Sequence, residues 1–267
     1  MNSFEVCRQS IQLLIENPLI GNRIEELASR FQLTSNHFQK VFKQHVGVTP
    51  KQFQQCLLVN LARPNILKQS LLSTSEALAL SSPSRLYDAF VQIDAMSPGE
   101  FKSLGNQLHF RYATEHSLLG ELIVVCTDRG IHYMGFVNDD DPVIAQLKSR
   151  YPNARFSECP ENSLLGCDPF NLKQPIQLHV SATNFQVQVW QALLKTQKTQ
   201  LTCYSDIAKA INKPKGARSV GQAVGANPVA ILIPCHRVIK QSGLISGYRW
   251  GENNKLALLA LELTSDS

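Results

Sequence analysis

Hydrophobic positions recur at helical spacing through the first hundred residues, alternate or cluster in short runs from 109 to 137, and return to helical spacing from 182 onward. Residues 4–16 place Phe4, Cys7, Ile11, Leu14 and Ile15 roughly on one face, which predicts a helix. Ile24 to Phe31 predicts a short second helix, and Gln32-Leu33-Thr34 a turn. Ser35 or Asn36 can cap the next helix, His37 to His45, whose apolar face is Phe38, Val41 and Phe42. Gly47-Val48-Thr49-Pro50 closes that helix and Lys51 opens another, with Pro50 near its first turn. The periodicity stops over 103–108, which marks a linker.

His109–Tyr112, Gly120–Cys126 and Gly130–Phe136 read as strands, and Asp128-Arg129-Gly130 makes a turn between the last two, so a β-meander is predicted. Asp139-Asp140-Asp141-Pro142 reads as the N-cap of a helix over 142–150 rather than as a metal site, and 152–182 as mostly loop with a short helical stretch. Further on, Phe185, Val189, Ala192 and Leu193 line one helix face with Trp190 beside them. Tyr204–Ile211 predicts a short helix, Lys213-Pro214-Lys215-Gly216 a basic turn, and 217–226 another helix ended by Asn227-Pro228. The apolar run 229–233 reads as a strand that Pro234 stops, because proline fixes φ and donates no ladder hydrogen bond.

A chain of 267 residues is long enough for two domains with cores of their own. Its 43% hydrophobic and 18% charged residues are ordinary for a globular protein, and no stretch approaches the roughly 20 apolar residues of a membrane span. The start, MNSFEVCRQSIQLLIENPL, lacks a basic region followed by an apolar core, so no secretory signal is expected. Seven scattered cysteines without a CxxC argue against a disulfide framework and against a zinc site; a reduced compartment, the cytoplasm, and no bound metal are expected. The net charge of +5 divides as +2 over 1–107, −3 over 108–180 and +6 over 181–267. The basic last third is either a solvated face or a surface for nucleic acid.

Within that third lies Ile231-Leu232-Ile233-Pro234-Cys235-His236-Arg237-Val238-Ile239-Lys240. The turn at Pro234 places Cys235 at the mouth of a β-element. A thiol is only a few per cent thiolate near neutral pH and needs a base to become a good nucleophile. His236 is adjacent, but neighbours in an extended run point to opposite faces, so it reaches the sulfur only through the turn or a water. A buried, inert cysteine is the other reading, and the run alone leaves both open. The helix 217–226 is built from small residues, with Gly221 and Gly225 each weakening it by about 1 kcal/mol. Such a helix is thin either for packing or for entry into a narrow groove. Arg218 on so smooth a surface favours the groove, since an arginine can take the place of an extruded base.

The helix, tight turn, helix and G-x-T-P of LTSNHFQKVFKQHVGVTPKQF resemble the helix-turn-helix of AraC-type transcription regulators. That resemblance implies that Ser35, Asn36, His37, Gln39 and Lys40 open a major-groove helix. A second unit resembling the family covers Ser82–Phe90 and ends in Met96–Lys102, with Pro64 in the linking helix and Ser75–Leu80 shortened, so that its first helix is expected to be truncated. Further on, F-Q-x-x-V-W-x-A-L at 185–193, Y-S-D-I-A at 204–208, A-R-S-V-G-x-A-V-G-A-N-P at 217–228, I-P-C-H-R-V-I at 233–239 and S-G-Y-R-W-G at 246–251 resemble O6-alkylguanine-DNA alkyltransferases. The whole is similar to the Ada-type fusion of an AraC-like regulator with an O6-methylguanine-DNA methyltransferase. The four-cysteine zinc module that such proteins carry first is not matched, since only Cys7 and Cys56 lie in the N-terminal part.

The resemblance implies a multidomain α+β fold: an all-α helix-turn-helix domain over 1–105, a small ribonuclease-H-like β-meander and helix subdomain over 108–180, and a mostly helical, winged-helix-like domain over 181–267. It implies that Cys235 takes the methyl group of O6-methylguanine, and of O4-methylthymine, once and for good, with no cofactor. His236 would act as base through a water, Glu262 would orient the imidazole, Asn227 would tie the helix end to the turn, and Tyr204 would protonate the leaving guanine. Arg218, with Ala217, Ser219 and Gly221, would enter the minor groove of double-stranded DNA and fill the gap left by a flipped base. Pro234, Tyr248, Arg249 and Trp250 would line the pocket. RNA polymerase joins the partners if the regulator domain is active. Departures from the pattern are Ala182 before Thr183, Gln197-Lys198-Thr199 in a turn, and Leu201 and Cys203 beside Tyr204.

Overall fold

The computed structural model describes residues 2–17, 20, 24–46 and 91–264, except 139–141, 171, 173, 198–200, 243–244 and 246, and isolated positions between 49 and 57. Pro64, Ser75–Leu80, Ser82–Phe90, Cys56 and Asp139–Asp141 lie outside the described residues. The chain divides into two compact units, one of Met1–Ser84, Gln197–Cys203 and His236–Ser267, the other of Arg85–Thr196 and Tyr204–Cys235.

In the first unit, α1 (Ser3–Glu16), α2 (Ile24–Ser29) and α3 (Ser35–Val46) follow the predicted periodicity. The interior holds Cys7, Ile11, Leu14, Leu27, Phe38, Phe42 and Phe53, with the rings of Phe38 and Phe42, and of Phe42 and Phe53, 5.9 Å apart. Neither Ser35 nor Asn36 caps α3. Thr34 does, its hydroxyl accepting from the His37 amide at 3.3 Å, because the turn at Gln32 (φ 56°) starts the helix one residue early. The same unit contains the two-residue strands β7 (Thr202–Cys203) and β8 (Val238–Ile239), paired in parallel, and the last helix, Glu252–Thr264, on which α1 packs.

The second unit is built on a six-stranded sheet of order β1-β6-β4-β3-β2-β5. The predicted meander is its centre: β2 (His109–Ser117), β3 (Gly120–Thr127) and β4 (Gly130–Phe136) pair antiparallel. Gly130 is required at the β3–β4 turn, since its φ is 145° and a Cβ there would run into the Gln177 carbonyl. The stretch 152–182 is mostly loop, as expected, but in place of the expected helical stretch its described residues contain two short strands. It supplies β5 (Arg155–Glu158), parallel to β2, and β6 (Ile176–Val180), which takes β1 on one side and β4 on the other. These strands are short, and their definition comes from the partner strand rather than from their own pattern.

The end of the expected second helix-turn-helix also folds into this sheet. Val91–Ala95 is the edge strand β1, in register with Ile176–Val180, and Met96 continues the pairing from its amide to the Val180 carbonyl at 2.9 Å. Met96 is buried with Phe110, Val125, Tyr133 and Tyr151. A short helix, α4 (Pro98–Lys102), follows, its first turn closed reciprocally by Ser97 and Glu100. The expected linker 103–108 is a turn hydrogen-bonded to Asn153 and Arg155. The next helix, α5 (Val143–Arg150), has Pro142 at its N-cap and no side-chain cap bond. No described helix is long and apolar enough to cross a membrane.

Candidate active site

Three helices of the second unit frame the first group of candidate side chains. Thr183 and Gln186 form a capping box that starts α6 (Asn184–Leu194), and Trp190 on that helix donates its indole N–H to the Ala223 carbonyl at 2.9 Å. Ala223 belongs to α8 (Ala217–Gly225), so the bond fixes α8 against α6; α7 (Tyr204–Ala210) packs on both. Helix α8 buries Val220, Ala223 and Val224, while Arg218, Ser219, Gln222 and Gly225 are exposed and Ala217 and Gly221 are half-buried. Gly221 faces the Tyr204 ring, where a Cβ would be in ordinary contact, whereas Gly225 faces open space.

The run after α8 is not a strand. Val229 makes a single bridge to Met134, and Ala230–Ile233 then form tight turns, with Leu232 donating to Ala230 and Cys235 to Ile233, both at 2.7 Å. Ile231 has φ 68°, a left-handed conformation that a β-branched residue adopts only at a cost of about 1–3 kcal/mol. The segment is apolar because it is buried on all sides, not because it lies in a sheet. Strain in the residues that lead to Cys235 is held by the surrounding core, and by Asn227.

Asn227 is 1% exposed. Its side-chain carbonyl accepts from the Val229 amide at 2.9 Å, and its NH2 group donates to the carbonyls of Val229 (3.2 Å) and Ile233 (3.0 Å) and to the Cys235 sulfur at 3.0 Å. An N–H aimed at sulfur is complementary to negative charge building there. The Tyr204 ring lies near the same sulfur. Burial, and secondarily Cys235, push the Tyr204 hydroxyl above its ordinary pKa, so it remains protonated and able to donate. Pro234 is buried immediately before the cysteine.

Cys235–Arg237 form one 3-10 turn, and the residues after the cysteine carry the second group of functional side chains. Nε2 of His236 lies 2.8 Å from Oε1 of Glu262, on α9 (Glu252–Thr264). A carboxylate only accepts, so Nε2 carries the proton and Nδ1, which is buried and bonds to no described protein atom, presents its lone pair. Burial pushes the Glu262 carboxyl up, but the charges and hydrogen bonds of His236 and Arg237 outweigh it and hold the pKa at about 2. Burial lowers the pKa of His236; Glu262 opposes that, and Arg237 and Lys255 reinforce it.

Two members of this group carried no role in the sequence reading. Arg237, 1% exposed, donates from Nε to both Glu262 oxygens at 3.0 Å and from Nη2 to Oε1 at 2.7 Å. Lys255, also 1% exposed, donates to the Val238 carbonyl at 2.6 Å. The available signal was a charge set inside an apolar run in each case: Arg237 before Val238-Ile239, and Lys255 before Leu256-Ala257-Leu258.

Of the other predicted residues, Tyr248 and Trp250 are nearly buried with ring centroids 5.3 Å apart, and the exposed Arg249 lies over the Trp250 ring. On α3, Asn36, His37 and Lys40 are exposed and Ser35 and Gln39 half-buried. Among the described residues no group of three or more His, Cys, Asp or Glu is placed to hold a metal ion.

Two family models match the chain. One, the DNA-binding domain of 6-O-methylguanine DNA methyltransferase, covers residues 184–264; the other, a helix-turn-helix domain, covers 27–103. The bifunctional transcriptional activator/DNA repair enzyme Ada of Escherichia coli is 32% identical over 251 residues, 91% of this chain and 71% of that protein. The inducible methylated-DNA–protein-cysteine methyltransferase of Bacillus subtilis is 48% identical over 92 residues, 34% of this chain and 51% of that protein. A solved structure of Mycobacterium tuberculosis OGT in complex with DNA covers 60% of this chain and 94% of its own, at 31% identity and a TM-score of 0.47.

Proposed function

The chain belongs to the family of Ada, in which a transcriptional activator and a DNA repair enzyme are joined, and from that membership we propose that it repairs O6-methylguanine, and O4-methylthymine, in double-stranded DNA by taking the methyl group onto Cys235. The observation that carries this reading is the Asn227 amide 3.0 Å from the Cys235 sulfur, one residue before an imidazole that Glu262 holds in the tautomer of a base.

In the proposed step the Cys235 thiol gives its proton through a water to Nδ1 of His236. The sulfur attacks the methyl carbon in line with O6, forming the S–C bond as the C–O6 bond breaks. The electron pair left on guanine is neutralised by the Tyr204 proton, and the imidazolium returns the proton taken from sulfur to that hydroxyl. The thioether has no route back, so each molecule reacts once and needs no cofactor. Arg218, exposed on α8 beside the exposed Ser219 and the half-buried Ala217 and Gly221, enters the minor groove in place of the flipped nucleotide. Helix α3 offers Ser35, Asn36, His37, Gln39 and Lys40 to a major groove, and the domain acts on transcription, with RNA polymerase as its partner. The ribonuclease-H-like and winged-helix-like descriptions of the two alkyltransferase parts, the domain limits 1–105, 108–180 and 181–267, and a cytoplasmic setting belong to the same proposal.

The test is the mass of the intact protein after incubation with a duplex containing O6-methylguanine. A gain of one methyl group that vanishes in Cys235→Ala is expected; no gain in the wild-type chain removes the reading and leaves a regulator that only senses alkylation.

A further inference from the structure

The proposed transfer needs Cys235, His236, Glu262 and Tyr204, yet the buried surroundings of Glu262 hold two cations that it does not use. Arg237 grips both oxygens of Glu262, and Lys255 lies two turns earlier on the same helix face as that carboxylate. Both are 1% exposed. Among the described residues, the charges that act on the imidazole are these two cations and the Glu262 carboxylate. A buried arginine–glutamate pair by itself needs neither the histidine nor the lysine. The arrangement has a consequence for the base. A histidine that accepts a proton must be neutral beforehand, and a guanidinium forked onto Glu262 offsets the carboxylate that would otherwise hold the imidazole charged. Glu262 pulls the other way, and its grip on Nε2–H sets the tautomer. The charged groups that act on the imidazole are thus Arg237 on its own turn and Glu262 and Lys255 on α9.

We propose that Arg237 is a positioning residue for the methyl transfer: its guanidinium clamps Glu262 against His236 and, together with Lys255, keeps the imidazole uncharged and able to take the Cys235 proton in mildly acidic surroundings. This rests on the reading of Cys235 as the methyl acceptor. A clamp without the charge role would cost rate equally at every pH. The charge role moves the acid limb of the rate.

The experiment uses the full chain as wild type, Arg237→Gln and Arg237→Lys. The single-turnover methylation rate on an O6-methylguanine duplex is followed by protein mass from pH 5 to 8, and the His236 ring is titrated by NMR without DNA. Arg237→Gln is expected to move the acid limb and the ring titration up by about one pH unit, a tenfold loss of relative rate below both midpoints. Arg237→Lys keeps the charge and loses the fork, so its rate falls while its limb stays in place. An unmoved limb in Arg237→Gln, or an equal shift in both variants, overturns the proposal. Should Arg237→Gln fail to fold, Lys255→Met must shift the limb in the same direction, and a limb that stays put is equally fatal. A wild-type chain that takes up no methyl sinks the reading of Cys235 instead, and the ring titration still decides the charge role.

Discussion

The side-chain nitrogen of Asn227 lies 3.0 Å from the sulfur of Cys235, and the same amide group holds the Ile233 carbonyl and the Val229 amide. One buried side chain therefore ties the end of α8, the strained turn and the nucleophile together. Truncating it strands several buried polar groups at once. Asn227→Ala should lower stability by about 3 kcal/mol and slow methyl uptake about 100-fold, read by thermal unfolding and by single-turnover mass analysis. A variant with unchanged rate would show that the contact to sulfur has no part in the reaction.

Trp250 carries a specificity prediction. Trp250 is 9% exposed and packs edge-on against Tyr248, and we propose that the two rings line the alkyl pocket. The chain should accept methyl from methylguanine much faster than benzyl from benzylguanine, and Trp250→Gly should raise the benzyl rate at least about tenfold, roughly the effect of relieving 1.4 kcal/mol of crowding. Equal wild-type rates on the two substrates would sink this.

Acid should destabilise the chain over a defined window. His132 is buried against Phe110 and Tyr151, and burial lowers its pKa from 6.5 to about 4. His236 is lowered as well. Below pH 6.5 the unfolded chain binds protons that the folded chain refuses, so stability is full above 6.5 and falls as pH drops toward 4. The His132 contribution is about 3 kcal/mol at the bottom of that window. Glu262, held at about 2, adds a loss that begins near pH 4.5. Melting temperature against pH should be flat above 7 and fall from 6.5 to 4, with a shallower fall in His132→Phe.

A mutation in the stretch matched to the helix-turn-helix family should damage the sheet. Met96 is 7% exposed, its sulfur accepts from the Tyr151 hydroxyl at 3.5 Å, and it packs in the core of the second unit. Met96→Ala should cost about 2–4 kcal/mol of unfolding stability. Hydrogen exchange localises the effect: protection should fall at Ile176–Val180, the partner strand of β1, and a loss confined to residues 1–57 would contradict the placement.

What the chain's own pattern determined is local. Helical spacing set α1, α3, α6, α7 and α8; alternation and the Gly130 turn set the meander; five ordered motifs brought Cys235, His236, Asn227, Tyr204 and Arg218 together in one reading. The helices and the meander form as expected because their information lies within a few turns of chain. The tertiary structure decided what depends on distant partners. Val91–Ala95 is a strand because it pairs with Ile176–Val180, which itself lies between that strand and Gly130–Phe136, and 229–233 is a buried turn rather than a strand because Asn227 takes the polar groups that a sheet would have taken. The charges follow the same rule. Arg237 and Glu262 are 25 residues apart, and no spacing in the sequence shows that one carboxylate holds both an arginine and a histidine; only the packed interior, where a lone charge is too costly to leave unpaired, brings the three together.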